Sequence, residues 1–157
     1  DTGVIYDGYY SDTCVSLCVG KAFEAKTNLL AAGKKSLYAG IGQARNGNRI
    51  RDISCAIYDC VRECGFDVIR DCVGHGVGKD LHEQPQIPNF CDETRTGLLK
   101  AGMVIAVEPV VVSGKGSWYK ALDGSVRLSE NGACAVVFEH TILITDDEPE
   151  ILTGRFF

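Results

Sequence analysis

Apolar and polar positions along the chain fall into a few clear periods. Gly3-Val4-Ile5-Tyr6, then Asp7-Gly8, then Tyr9 to Val19 reads as a hairpin, because Asp-Gly between runs of β-formers is a two-residue turn signal. From Glu24 to Arg45 the residues favour helix, with Leu30, Leu37 and Ile41 near the helical period, and Asn46-Gly47-Asn48 ends it. Ile50, Ile53, Ile57 and Val61 recur at three and four residues, which predicts a second helix from about Ile50 to Cys64 with Gly65 as its stop. Phe66 to Ile69 reads as a short strand, and Gly74 to Asn89 as a loop rich in Gly and Pro. Met103 to Val112 is expected as a buried strand interrupted by Glu108, Val126 to Leu128 as another strand, and Ala133 to Thr145 as a long strand interrupted by Glu139-His140. A short strand at Glu150 to Leu152 closes the pattern. These elements describe one mixed α+β domain over residues 1–157.

Composition narrows the function classes. At 157 residues, 45% hydrophobic and 24% charged, the chain has the make-up of a folded domain and not of a disordered segment. The 21 acidic against 16 basic residues give a net charge of −5, which argues against nucleic acid as the principal ligand. No apolar run approaches the roughly 18 residues that cross a bilayer, and the start, Asp1-Thr2-Gly3-Val4, has neither the basic residues nor the apolar stretch of a signal peptide. A cytoplasmic protein without a membrane partner is the expectation. The 8 cysteines show no paired zinc-finger spacing, so reduced and mostly buried thiols are expected, with Cys55, Cys60 and Cys64 packing as small hydrophobes in the second helix.

Candidate chemistry lies where polar residues break the pattern. With Asp7-Gly8 as the loop, Tyr6 pairs with Tyr9, Gly3 with Asp12 and Asp1 with Cys14, so Asp1 and Asp12 share a face, diagonally about 7 to 8 Å apart. Two such carboxylates repel unless a cation lies between them. Glu108 and Glu139 each interrupt an apolar strand, where an ionised carboxylate is costly unless paired or bound to metal. His75 sits in Gly74-His75-Gly76-Val77-Gly78, whose glycines permit close backbone approach. Four carboxylates and an imidazole are enough to hold two divalent ions, and such oxygen-rich donors suit Mn, Fe or Co better than a thiolate zinc site. Two ions sharing a water lower its pKa and polarise a carbonyl, which points to acyl hydrolysis. His140 follows Glu139 on a strand, so alternation sends it to the opposite face and a structural role.

Together these residues resemble type I methionine aminopeptidases. The spaced Asp1 and Asp12, Gly74-His75-Gly76-Val77-Gly78, His82-Glu83-Gln84-Pro85, Gly102-Met103-Val104 leading to Glu108-Pro109, and Phe138-Glu139-His140-Thr141 before Glu150-Ile151-Leu152-Thr153 occur in the family's order over nearly the whole chain. The resemblance implies the pita-bread (creatinase/aminopeptidase-like) fold, N-terminally truncated because the family carries a substantial segment before its first metal-binding Asp. It implies removal of the N-terminal methionine from nascent proteins, with these roles: Asp1 on one metal, Asp12 and Glu139 bridging both, His75 and Glu108 completing the other. The metals would be two divalent ions among Mn, Fe, Co or Zn. A hydroxide bridging them would attack the scissile carbonyl, Glu108 would shuttle the proton, and His82 would meet the substrate amide and stabilise the tetrahedral intermediate. The partner is then the N-terminal methionine of a peptide or nascent protein, and the enzyme a monomer. Tyr10-Ser11 stands where the family usually has His-Gly, Leu81 where a Phe is common, Ser125 where a pocket tryptophan occurs and Val137 where Gln is frequent; these alter the pocket and remove no metal ligand. The alternatives are a related Xaa-Pro peptidase and a non-catalytic pita-bread binding module. The truncation implies metal binding with slow cleavage by these 157 residues alone.

Overall fold

The structure, a computed structural model, describes residues 1–114, 118–120, 127–129 and 132–154. Strands β1 (Thr2–Tyr6) and β2 (Tyr9–Val15) form the expected hairpin around Asp7 and Gly8, both at positive φ, and pair in the expected register, Tyr6 with Tyr9 and Gly3 with Asp12. Helix α1 (Glu24–Ile41) stops short of Arg45, because Gln43 and Ala44 bond three residues back, to Gly40 and Ile41, and tighten the final turn out of the α pattern. Its buried positions, Leu29, Ala32, Gly33, Ser36, Leu37, Gly40 and Ile41, trace one helical stripe.

Helix α2 (Ile50–Glu63) begins with the Asp52 carboxylate accepting the Arg49 N–H at 2.7 Å, half of a capping box. It ends as Gly65 predicts: Gly65 has φ +82°, its N–H donates to Arg62, and the Phe66 N–H reaches back to Val61. The thiol expectation needs correction at one pair, since Cys55 of α2 is disulfide-bonded to Cys91, 36 residues on. Sequence spacing cannot reveal a bridge whose partners are joined only when the chain after the next strands folds back on α2. Among the described residues, Cys14, Cys18, Cys60, Cys64, Cys72 and Cys134 form no disulfide, but Cys18 and Cys134 are exposed, not buried.

The segment expected as a loop holds two strands, β4 (Val73–Gly76) and β5 (Glu83–Pro88), after the short β3 (Asp67–Val68). Glycine and proline masked them. Strands β6 (Val104–Val107) and β7 (Val110–Val112) flank Glu108 as expected, whereas β10 (Ala135–Leu143) runs through Glu139-His140 without interruption. Between them, β8 (Trp118–Lys120) pairs with β9 (Arg127–Ser129), and β11 (Glu150–Ile151) pairs with β10. Among the described residues, the main sheet runs β1-β2-β10-β6-β4-β5, with β3 and β7 continuing alongside the start of β10. Both helices cover one face of it: α1 packs on β10 and α2 on β5. Leu37, Ile53, Ile57, Ile87, Ile105 and Ile142 lie at the centre of that core. No described helix is long and apolar enough to cross a membrane.

Candidate metal centre

The sheet face away from the helices gathers the unusual polar residues. Asp12 on β2, His75 on β4 and Glu139 on β10 are 7%, 6% and 1% exposed, and each offers a ligand atom within 4.8 Å of the others. These strands are not all neighbours: β10 and β6 lie between β2 and β4, an arc of about 14 Å at ordinary strand spacing. Across those two strands His75 Nε2 comes to 3.8 Å from Asp12 Oδ2.

Each side chain is fixed locally. The Thr141 hydroxyl accepts the Asp12 N–H at 2.8 Å and donates to the Asp12 carbonyl at 2.7 Å, so β10 clamps the backbone of the residue. His75 lies 3.0 Å through Nδ1 from the Gly76 carbonyl; since a carbonyl only accepts, Nδ1 carries the proton and Nε2 keeps a lone pair. A Cβ at Gly74 would collide with the Ala106 carbonyl and one at Gly76 with the Gln84 carbonyl, so only glycine lets β4 fit between β6 and β5.

Glu108 sits in the gap between β6 and β7. β10 keeps one register across that gap, His140 opposite Val107 and Val137 opposite Val110, which sets Glu108 opposite Glu139. The electrostatic consequence falls on Glu139: burial first, then the charges of Glu108 and Asp12, push its carboxyl up to about 9. Its Oε1 is buried with no hydrogen-bond partner among the described residues. Burial also lowers the His75 pKa, and His82 adds to that effect, while the Gly76 carbonyl and Asp12 oppose it.

The His82 ring lies 4.3 Å from that of His75, centroid to centroid, on an exposed residue beside the cluster. Asp1 is exposed, before β1, and like Glu108 lies outside the mutually close trio. His140 faces the helices, hydrogen-bonded through Nδ1 to Thr153 at 2.8 Å and 3.5 Å from the Tyr38 hydroxyl, the structural place that alternation predicts. Ser125 lies outside the described residues. Sequence reasoning missed Thr141, although its place two residues beyond Glu139 puts it on the same face. It also missed Asn89, whose complete burial has no signature in sequence.

Carboxylates crowded at one imidazole, with an orphaned buried oxygen on Glu139, make a donor set that fits a divalent cation and is unfavourable without one. Comparison with known proteins agrees. The model of metallopeptidase family M24 matches residues 1–146. The methionine aminopeptidase of Clostridium acetobutylicum is 37% identical over 153 residues, covering 98% of this chain and 61% of its own length. Methionine aminopeptidase 1 of Bacillus subtilis is 39% identical over 153 residues, 98% of this chain and 62% of its own. The crystal structure of methionine aminopeptidase from Thermotoga maritima superposes with a TM-score of 0.93 at 40% identity, over 96% of this chain and 61% of that one. Prolidase from Pyrococcus furiosus, at 24% identity and a TM-score of 0.78 over 99% of this chain and 40% of that one, shares the fold. The chain thus spans about 61% of the length of the methionine aminopeptidases it matches.

Proposed function

The chain belongs to metallopeptidase family M24 and has its pita-bread fold, and from that premise we propose that it is a metal-dependent aminopeptidase removing the N-terminal methionine from nascent proteins. The observation that carries the proposal is the meeting of Asp12, His75 and Glu139, drawn from separate strands into one buried cluster. Identities of 33% to 40% to methionine aminopeptidases, against 24% to a prolidase, favour methionine over an Xaa-Pro substrate.

In this reading Asp12, His75 and Glu139, joined by Asp1 and Glu108, would hold two divalent ions. Oxygen-rich donors suit Mn, Fe or Co, with Zn also within range. When bound, such ions would supply an activated water and polarise the scissile carbonyl. The protein's own groups do the rest. Glu108, facing Glu139 at the strand break, takes up and returns a proton. His82, exposed beside His75, donates to the substrate carbonyl as negative charge develops on it. The lone pair on His75 Nε2 stays available because Nδ1 is committed to Gly76. We place the enzyme in the cytoplasm, as a monomer, with the first residue of a peptide or nascent chain as its partner.

Metal content and cleavage of a methionine-initiated peptide, measured for wild type, Asp12→Ala and Glu139→Ala, test this. Both variants should lose metal and turnover together; turnover retained by either variant would overturn the assignment.

A further inference from the structure

Asn89 directly follows β5, where three strand ends converge, and is fully buried. Its Nδ2 donates to two carbonyls, that of Cys72 at 3.0 Å and that of Glu108 at 2.8 Å. Cys72 leads into β4, three residues ahead of His75; Glu108 fills the gap between β6 and β7. Both amide hydrogens are thus spent on backbone, one on each candidate arm of the metal cluster. The other end of the same amide, Oδ1, is buried with no hydrogen-bond partner among the described residues, a costly arrangement for a residue serving as filler.

The local chain explains what the amide does. Pro109 follows Glu108, so no N–H exists at that position to extend the ladder, and proline holds Glu108 itself to extended backbone. Pairing of β10 with β6 ends at Val107 and resumes with β7 at Val110. From just past the end of β5, the Asn89 amide bonds the Glu108 carbonyl within this gap and ties it to the start of β4 through Cys72. We propose that Asn89 is a positioning residue for the metal centre: by bonding the carbonyls of Cys72 and Glu108 it sets the spacing between the strand carrying His75 and the break carrying Glu108.

This rests on the reading of His75 and Glu108 as ligands, and the test separates the two. Cobalt(II) is titrated into the 157-residue chain, following affinity and the visible d–d absorption, for wild type, Asn89→Leu and, as a packing control away from the site, Ile57→Val. Asn89→Leu should bind cobalt(II) about 10- to 100-fold more weakly with an altered spectrum, as loss of outer hydrogen bonds typically does, and Ile57→Val should match wild type. A folded Asn89→Leu with wild-type affinity and spectrum overturns the proposal while leaving the metal reading intact. Wild type that takes up no cobalt(II) overturns both. A measurement on wild type alone stands even if Asn89→Leu fails to fold: the Asn89 side-chain amide resonances should shift during a zinc titration and saturate with metal binding, and resonances that stay put overturn the proposal.

Discussion

Glu139 concentrates the electrostatic conflict of the site in one side chain. Its carboxyl is 1% exposed, lies opposite Glu108, and is pushed up to about 9 by burial and then by Glu108 and Asp12. In the metal-free chain the folded state therefore holds a proton that the unfolded state releases from its ordinary value of 4.5 upward. Stability contributed by that proton is complete below 4.5 and is lost as pH rises toward 9. The urea midpoint of chelator-treated protein should accordingly fall across this window, and Glu139→Gln should flatten the fall, raise the midpoint at high pH and abolish metal uptake. A pH slope that survives in Glu139→Gln would show that another group is responsible. Metal binding must expel the same proton, so uptake should strengthen with rising pH. Glu139 was legible in the sequence because it breaks an apolar run, Asp12 because the hairpin register sets it on one face with Asp1, and His75 because glycines flank it. Thr141 was not, because a threonine within an apolar strand is ordinary and only its bonds to Asp12 distinguish it.

Elements carry their own tests. Gly40 of α1 faces α2 so closely that a Cβ would stand 2.6 Å from Ile57 Cγ1. Helix propensity alone favours alanine by up to about 1 kcal/mol, but overpacking a buried contact costs about 1 to 3 kcal/mol. Gly40→Ala should therefore destabilise the protein in urea unfolding, and a gain in stability would contradict this packing. The Cys55–Cys91 bridge closes a loop of 36 residues, for which chain entropy predicts a contribution of about 4 kcal/mol. Cys55→Ser or reduction should lower the unfolding midpoint accordingly, and no change would mean the bond is absent in solution. Helix α2 was readable to within a residue, since its period and the Gly65 stop agree. Strands β4 and β5 were not: their glycines and prolines signal a loop locally, and only close passage beside β6 and the pairing of one with the other makes them strands.

Over the whole molecule, β1 forms a sheet edge with Val4, Ile5 and Tyr6 exposed at 50%, 59% and 85%, and Leu17, Val19 and Phe23 are exposed as well. The chain spans about 61% of the relatives it matches. Cleavage of a methionine-initiated peptide by these 157 residues should be slow beside that of a full-length relative, and should rise when the relative's unmatched portion is supplied in trans; unchanged or already full turnover would contradict this. The sequence by itself determined the hairpin register, the two helices, the strand break at Glu108 and the chemical identity of the candidate ligands, because turn chemistry and periodicity act over a few residues. The tertiary structure alone decided which of those ligands meet. Asp12, His75 and Glu139 come together across a sheet in which strands distant in the chain lie side by side. The Cys55–Cys91 bridge and the burial of Asn89 likewise depend on long-range closure, which no local pattern encodes.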